Sequence, residues 1–292
     1  MFTLVTSFDK RIYDISGSKL IYSYIKNVIK NKNIQFHIFT EGIIDININR
    51  EDIFFHKIED SDYFNKWILN NKKIIPIKYN GICEKPLPYF NHRASLFFRK
   101  VASLYEAYNL KINHEKIIWL DADIIISSEI NYKFINNYFN NNYELYYFQG
   151  SYRRNYNRHL KDPHKKKGIE SCLLIFNKEF NILNEWINFY ESDFLKYNRW
   201  DDGWILKIVL ENTKYKSLDI GGNLDNPLAK SELAEMFLHN KGLHNITIYK
   251  YNNYFNQQNI QYLFRKIFLF IKNIINIICM ALGQKATQLK KY

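Results

Sequence analysis

The segment KIIWLDADIIIS, residues 116 to 127, most constrains the fold, because two carboxylates interrupt a continuous apolar run. Ile117–Leu120 and Ile124–Ile126 are apolar at every position, which is typical of a strand covered on both faces in a parallel sheet. In an extended chain residues i and i+2 point the same way, so we expect Asp121 and Asp123 to converge while Ala122 faces backwards. The sequence therefore predicts a buried strand that carries an acidic pair.

Two carboxylates in such a strand need a compensating charge, because they repel each other and are poorly solvated. A divalent cation supplies it, and Mg²⁺ and Mn²⁺ favour carboxylate oxygens that they share with substrate phosphates. The alternative is that Asp121 and Asp123 cap a strand end and face water, or pair with lysines. The apolar residues on both sides favour metal binding.

The same segment resembles the DxD motif of nucleotide-sugar glycosyltransferases of the GT-A fold. The resemblance implies an α/β fold with a Rossmann-like, mostly parallel central sheet flanked by helices. It also implies a hexosyltransferase-type activity with a Mn²⁺ or Mg²⁺ cofactor that holds the donor diphosphate. Asp121 and Asp123 would bind the metal, and Asp121 and Ala122 would also contact the donor.

The chain opens with a strand, a helix and a strand, at Phe2–Phe8, Tyr13–Lys30 and Ile34–Thr40. This βαβ order predicts a parallel sheet with a right-handed crossover, whose ligands bind at the carboxyl ends of the strands. Residues at these ends are candidate contacts for the donor base and ribose, or ordinary turn residues; they are Thr6, Ser7, Phe8 and Glu41.

A helix is predicted over Ala94–Leu110, with a buried stripe of Phe97, Val101, Leu104 and Tyr108. Arg93 and Lys100 lie at the edge of this stripe, where a cation can reach an anionic ligand in a cleft. The alternative is that both side chains extend to solvent from the core boundary.

Two later segments supply further acids. Gly168–Asn177 resembles the acceptor-side strand of the superfamily, with Cys172 where many members have a small residue, and Glu170 either binds acceptor hydroxyls or is structural. Trp200–Trp204 opens a helix in which Asp201 or Asp202 is an N-cap or, if the reaction inverts, the base for the acceptor hydroxyl.

The segment Phe237–His244 resembles the histidine-containing segment that closes many metal-dependent GT-A sites. His239, with His244 as its competitor, would complete the metal sphere. Lys241 and Gly242 would contact phosphate. A neutral imidazole nitrogen suits Mn²⁺ better than Mg²⁺.

Charge and cysteine content limit the partners and the compartment. The formal net charge is +12, residues 151–167 carry seven Lys or Arg against one acid, and no acid follows Glu235. This basic surface suits nucleotide diphosphates, acidic glycans or anionic lipids. Nucleic acid is not expected, because no DNA- or RNA-binding signature is found. We expect residues 151–167 to form a loop that closes over an anionic substrate or is simply solvated.

The three cysteines, Cys83, Cys172 and Cys279, are far apart and lack paired metal-ligand spacing. They indicate neither a disulfide framework nor a zinc site. The N-terminus has no basic segment before its apolar run and predicts no signal peptide, so we expect a cytoplasmic protein.

The C-terminal segment Asn259–Gly283 is apolar, with one polar stripe and several basic residues. It predicts an amphipathic helix that attaches to an anionic membrane at its inner face, or that packs on the catalytic domain or a partner subunit. We therefore divide the chain into a catalytic domain, 1–250, and a basic helical appendage, 251–292.

The sequence as a whole predicts a metal-dependent glycosyltransferase of polysaccharide biosynthesis, which moves a sugar from a nucleotide-sugar, with UDP as the expected nucleotide, to a glycan or lipid-linked glycan. One alternative is a nucleotidyltransferase, which needs a glycine-rich phosphate loop where Thr6–Lys19 has only Gly17. The other is a non-enzymatic basic protein that binds membranes or nucleic acid. Retention and inversion are both open.

Overall fold

A computed structural model of the chain describes residues 1–28, 33–42, 45–71, 94–130, 132–139, 142–149, 169–177, 181–192, 202–221, 228 and 231–239. All of them belong to one unit, Met1–Lys241. Several predictions lie outside the described residues: those for Arg93, residues 151–167, Asp201, Lys241, Gly242, His244 and the C-terminal helix.

The described part of the central sheet has seven strands, which are β1 (Phe2–Asp9), β2 (Ile34–Glu41), β3 (Ile53–Lys57), β4 (Lys116–Leu120), β6 (Leu145–Gln149), β7 (Ile169–Asn177) and β8 (Ser217–Asp219). Their order in the sheet is β3-β2-β1-β4-β7-β6-β8. Four of the six neighbouring pairs are parallel, and β7 runs antiparallel to both of its neighbours. The predicted α/β class with a mostly parallel central sheet is confirmed.

The apolar run around the acidic pair forms two strands, so the prediction of one extended strand was wrong. β4 ends at Leu120, and β5 (Ile124–Ile126) belongs to a separate antiparallel pair with β9 (Phe237–His239). Between them the chain turns, with the Ile124 N–H donating to the Asp121 carbonyl at 2.9 Å. Ala122 and Asp123 are the central residues of this turn.

Helices cover both faces of the sheet. The first helical region starts directly after β1, where Asp9 Oδ1 accepts a hydrogen bond of 2.7 Å from the Ile12 N–H. No helix among the described residues is long and apolar enough to span a membrane. The helices are α1 (Lys10–Ile12), which continues through a π-helical turn (Tyr13–Gly17) into α2 (Ser18–Asn27), then α3 (Asp62–Asn70), α4 (Ala94–Asn109), α5 (Tyr132–Tyr138), α6 (Asn181–Ser192) and α7 (Asp202–Asn212), with short 3₁₀ turns at Ile58–Asp60 and Glu232–Glu235.

The sheet separates two apolar cores, which explains why β4 is apolar at consecutive positions. Ile117 and Trp119 pack into the core under α4, α6 and α7, whereas Ile118 and Leu120 pack into the core under α2 and β5. In α4 the predicted Val101 and Leu104 are fully buried, whereas Phe97 and Tyr108 are only half-buried. Phe98, which was not predicted, is fully buried.

Candidate active site

The turn between β4 and β5 places Asp121 and Asp123 beside β9. Ile124 pairs with His239 across the β5–β9 ladder, and His239 Nε2 lies 3.4 Å from Asp123 Oδ1. The Asp121 N–H donates to the Cys172 carbonyl at 2.8 Å, so Asp121 extends the contact between β4 and β7. The pairing of β5 with β9 therefore brings His239 to Asp123, although the two residues are 239 − 123 = 116 positions apart in the sequence.

Lys100 reaches this turn from α4 and lies between two carboxylates. Its Nζ is 2.8 Å from Asp121 Oδ1, and it also forms an ion pair with Asp202 Oδ2. It donates at 2.9 Å to both the carbonyl oxygen and the Oγ of Ser171. The side chain is therefore buried and fully engaged, which rules out the expectation that it extends to solvent.

Trp119 contacts the same carboxylate oxygen as Lys100. Its indole N–H donates to Asp121 Oδ1 at 2.7 Å, and its ring centroid lies 5.1 Å from the Nζ of Lys100. One oxygen of Asp121 is thus fixed by an indole and an ammonium group. The orientation of this carboxylate is set before any ligand binds.

The electrostatics of the turn favour an additional cation. Burial lowers the pKa of Lys100, but Asp121 and Asp202 outweigh burial and raise it overall. The pKa of Asp121 is raised by burial and by the nearby Asp123 and Asp202, against the opposing effect of Lys100. One lysine thus leaves the acidic pair under-compensated.

Asp121, Asp123 and His239 offer two carboxylates and an imidazole, a donor set that fits Mn²⁺ or Mg²⁺. The charge of Asp123 raises the pKa of Asp121, and the two residues are joined by a turn and not by an extended strand. The assignment of these three residues as metal ligands stays a prediction.

The N-terminus of α7 is fixed against β7. Ser171 Oγ donates to Asp202 Oδ2 at 2.8 Å. A Cβ atom on Gly203 would lie 2.2 Å from the carbonyl oxygen of Ile169, so only glycine permits this approach. Sequence reasoning missed Ser171 and Gly203, although a glycine directly after two acids at a helix start is itself a sign of close backbone packing.

β7 presents alternate residues to the two sides of the site. Ser171 contacts Lys100, whereas Glu170 and Cys172 lie near His239, with possible ligand atoms of the three within 4.8 Å of one another. Glu170 was predicted to bind an acceptor or to be structural, and both readings are still open. Glu170 lies beside His239.

The predicted donor contacts at the ends of β1 and β2 differ in how far they are exposed to solvent. The Phe8 ring is fully buried and packs near Tyr13, so a donor can meet only its backbone. Thr6 is buried, and its Oγ1 has no hydrogen-bond partner within the described ranges. Ser7 is partly exposed and lies two residues beyond the last β1–β4 pair, Val5 with Trp119.

Glu41 is held by a cation that the sequence reasoning did not single out. Arg99 Nη1 lies 2.9 Å from Glu41 Oε2, and its Nη2 lies 3.7 Å from Asp9 Oδ2. The guanidinium group, only 4% exposed, joins the ends of β1 and β2 to α4. Glu41 as a donor contact stays a prediction, and its carboxylate already has a structural partner.

No protein-family model matches the sequence. No curated protein matches it either. Solved structures with a similar fold are glycosyltransferases. One is mouse xyloside xylosyltransferase 1 in its apo form, at 13% identity and a TM-score of 0.49, with 84% of this chain and 99% of that chain covered.

A second similar structure is a glycosyltransferase involved in the glycosylation of the major capsid of PBCV-1, at 12% identity and a TM-score of 0.45, with 82% and 94% covered. A third is the galactosyltransferase LgtC in complex with donor and acceptor sugar analogs, at 12% identity and a TM-score of 0.38, with 70% and 69% covered. These values describe a similarity of architecture and identify no function.

Proposed function

We propose that this chain is a metal-dependent glycosyltransferase that moves a sugar from a nucleotide diphosphate donor, with UDP as the expected nucleotide, to a glycan or lipid-linked glycan. The observation that carries the proposal is the acidic turn of Asp121 and Asp123, which His239 faces from β9 and Lys100 contacts from α4. The proposal includes a hexosyl donor. It also includes attachment to the inner face of a membrane, which is supported by the basic composition of the chain after Glu235.

In this proposal Asp121, Asp123 and His239 hold Mn²⁺ or Mg²⁺. When bound, the cation would neutralise the nucleotide diphosphate as it departs from the sugar. Lys100 and Trp119 orient Asp121, because the ammonium group and the indole N–H both contact the same carboxylate oxygen. The ends of β1 and β2 would bind the nucleoside, consistent with the position of ligands in parallel sheets.

Asp202 is better suited to positioning than to proton transfer. Its Oδ2 already accepts from Ser171 and pairs with Lys100, so this oxygen is engaged in holding the lysine. We therefore assign Asp202 to the orientation of Lys100. A base is needed only if the reaction inverts the anomeric centre, and that role would fall to Asp201.

The connection after β1 disfavours a nucleotidyltransferase. β1 ends at Asp9 and α1 begins at Lys10, so these two elements leave no glycine-rich loop between them to cradle phosphates. Gly17 lies in the following π-helical turn, where it packs against the ring of Phe8. A non-enzymatic basic protein that binds membranes or nucleic acid would explain the net charge, but it would leave Asp121 and Asp123 without a function.

Hydrolysis of a panel of nucleotide-sugars in the presence of Mn²⁺ tests the proposal. We expect slow release of a nucleoside diphosphate from one donor, loss of the reaction when the metal is chelated, and loss in Asp123→Ala. Asp14→Ala is a matched control, because Asp14 is an exposed carboxylate that pairs with Lys10 on α1. No hydrolysis of any donor, or full turnover by Asp123→Ala, would overturn the assignment.

A further inference from the structure

Three side chains of different chemistry meet beside the acidic turn: Glu170, Cys172 and His239. Each offers one ligand atom, and these atoms lie within 4.8 Å of one another. Glu170 and Cys172 are two residues apart on β7 and therefore share a face of the strand. β9 supplies His239 from across the β5–β9 pair.

The ligand atoms of Glu170, Cys172 and His239 differ in chemistry from the two carboxylates of Asp121 and Asp123. A thiolate and an imidazole are ligands that Zn²⁺ prefers, whereas a hard cation such as Mg²⁺ favours oxygen. Cys172 is fully enclosed and Glu170 and His239 are partly buried, so a bound ion would be largely screened from solvent. Three protein ligands would leave one tetrahedral position for water or substrate.

We propose that Glu170, Cys172 and His239 form a zinc-type metal site that shares His239 with the acidic turn. The sequence pattern of the cysteines indicated no zinc site, because the ligands come from β7 and β9 and have no spacing in common. A soft divalent cation at this site and a hard cation on Asp121 and Asp123 would compete for His239. The competition rests on the proposed function, whereas the existence of the zinc-type site does not.

The binding step balances as an exchange of a proton for a metal ion. The Cys172 thiol loses its proton to solvent, the sulfur donates an electron pair to the cation, and no oxidant or reductant is involved. The carboxylates around Cys172 oppose a bare thiolate, but they favour the positive ion that replaces the proton. Ion uptake should therefore release about one proton per site.

Titration with Cd²⁺, a spectroscopic substitute for Zn²⁺, tests the site in the full chain without nucleotide. Cys83→Ser and Cys279→Ser together leave Cys172 as the single thiol. We expect a sulfur-to-cadmium charge-transfer absorption that saturates at one equivalent, with proton release followed by a pH indicator. Cys172→Ala in this background should lose the absorption.

Two further variants distinguish a three-ligand metal site from Cd²⁺ binding by the Cys172 thiol alone. Glu170→Gln and His239→Ala keep Cys172, and each should weaken Cd²⁺ binding by at least about tenfold. Far-ultraviolet circular dichroism checks that each variant is folded. Absence of the absorption in the single-thiol protein, or an unchanged Cd²⁺ affinity in both variants, would overturn the proposal.

The result is separable from that of the proposed function. A Cd²⁺–thiolate signal in a protein that binds no nucleotide would retain the zinc-type site and remove the glycosyltransferase assignment. Metal-dependent nucleotide binding without a Cd²⁺–thiolate signal would do the reverse.

Discussion

The Nζ of Lys100 lies 2.8 Å from Oδ1 of Asp121, and the lysine side chain is 9% exposed. This ion pair joins α4 to the turn between β4 and β5. Asp202 pairs with the same ammonium group from α7. One lysine therefore connects α4, the acidic turn and α7, and the orientation of the turn depends on it.

Replacement of Lys100 by methionine should destabilise the fold, because it removes the charge that compensates Asp121 and Asp202. Loss of one member of a buried pair costs about 3 kcal/mol or more. The free energy of unfolding in urea measures the effect. The control is Lys10→Met, which removes an exposed partner of Asp14 and should cost no more than about 1 kcal/mol. Equal stability of the two variants would show that the buried pair contributes nothing.

Gly203→Ala should lower stability, although alanine normally favours a helix over glycine by about 1 kcal/mol. The added methyl group would meet the Ile169 carbonyl oxygen at 2.2 Å and push α7 away from β7. We expect a loss of about 2 kcal/mol in urea unfolding, together with weaker nucleotide binding because Asp202 moves from Lys100. A stabilised variant would contradict the close approach of the two elements.

Acid should destabilise the protein through a histidine cluster on β2 and β3. His37 Nδ1 lies 2.9 Å from His56 Nε2, and burial, His56 and His114 lower the pKa of His37 to about 3. Burial also lowers the pKa of His56 and His114. The unfolded chain binds protons near pH 6.5 and the folded chain does not, so stability is complete above that pH and falls as the pH decreases towards 3.

The size of this effect follows from linkage. Between about pH 7.5 and about pH 5, His37 alone should contribute a loss of about 2 kcal/mol in the free energy of unfolding. His37→Phe keeps an aromatic ring that can stack on Phe54 and removes the titrating group. Its unfolding free energy should depend less steeply on pH than that of the unaltered protein. The same slope in both proteins would exclude His37 as the cause.

Much of the fold could be predicted from the sequence, because β4 is apolar after Lys116 and β1, β2 and β7 carry enough apolar residues to mark buried strands. The division of the apolar segment around Asp121 into β4 and β5 could not be predicted, because an apolar pattern does not reveal where a chain turns between two sheets. β3 and β8 were not identified; β3 has alternating burial and β8 has three residues. Short or half-exposed strands give a weak pattern.

The candidate site was predictable only in part. The acidic pair and His239 were singled out, and strand pairing brings Asp123 and His239 close together. The engagement of Lys100 with Asp202 and Ser171 was not foreseen, because contacts between residues 71 or more positions apart leave no spacing to recognise. Arg99, one residue from Lys100, was missed because its partners lie at the ends of β1 and β2.

The most direct measurement of the central claim is calorimetric titration of UDP into the protein with and without Mn²⁺. We expect binding only when the metal is present, loss of that binding in Asp123→Asn, and retention in Asp14→Asn, whose altered carboxylate lies on the exposed face of the first helical region. Binding of UDP with equal affinity in the absence of metal, or by Asp123→Asn, would contradict the account.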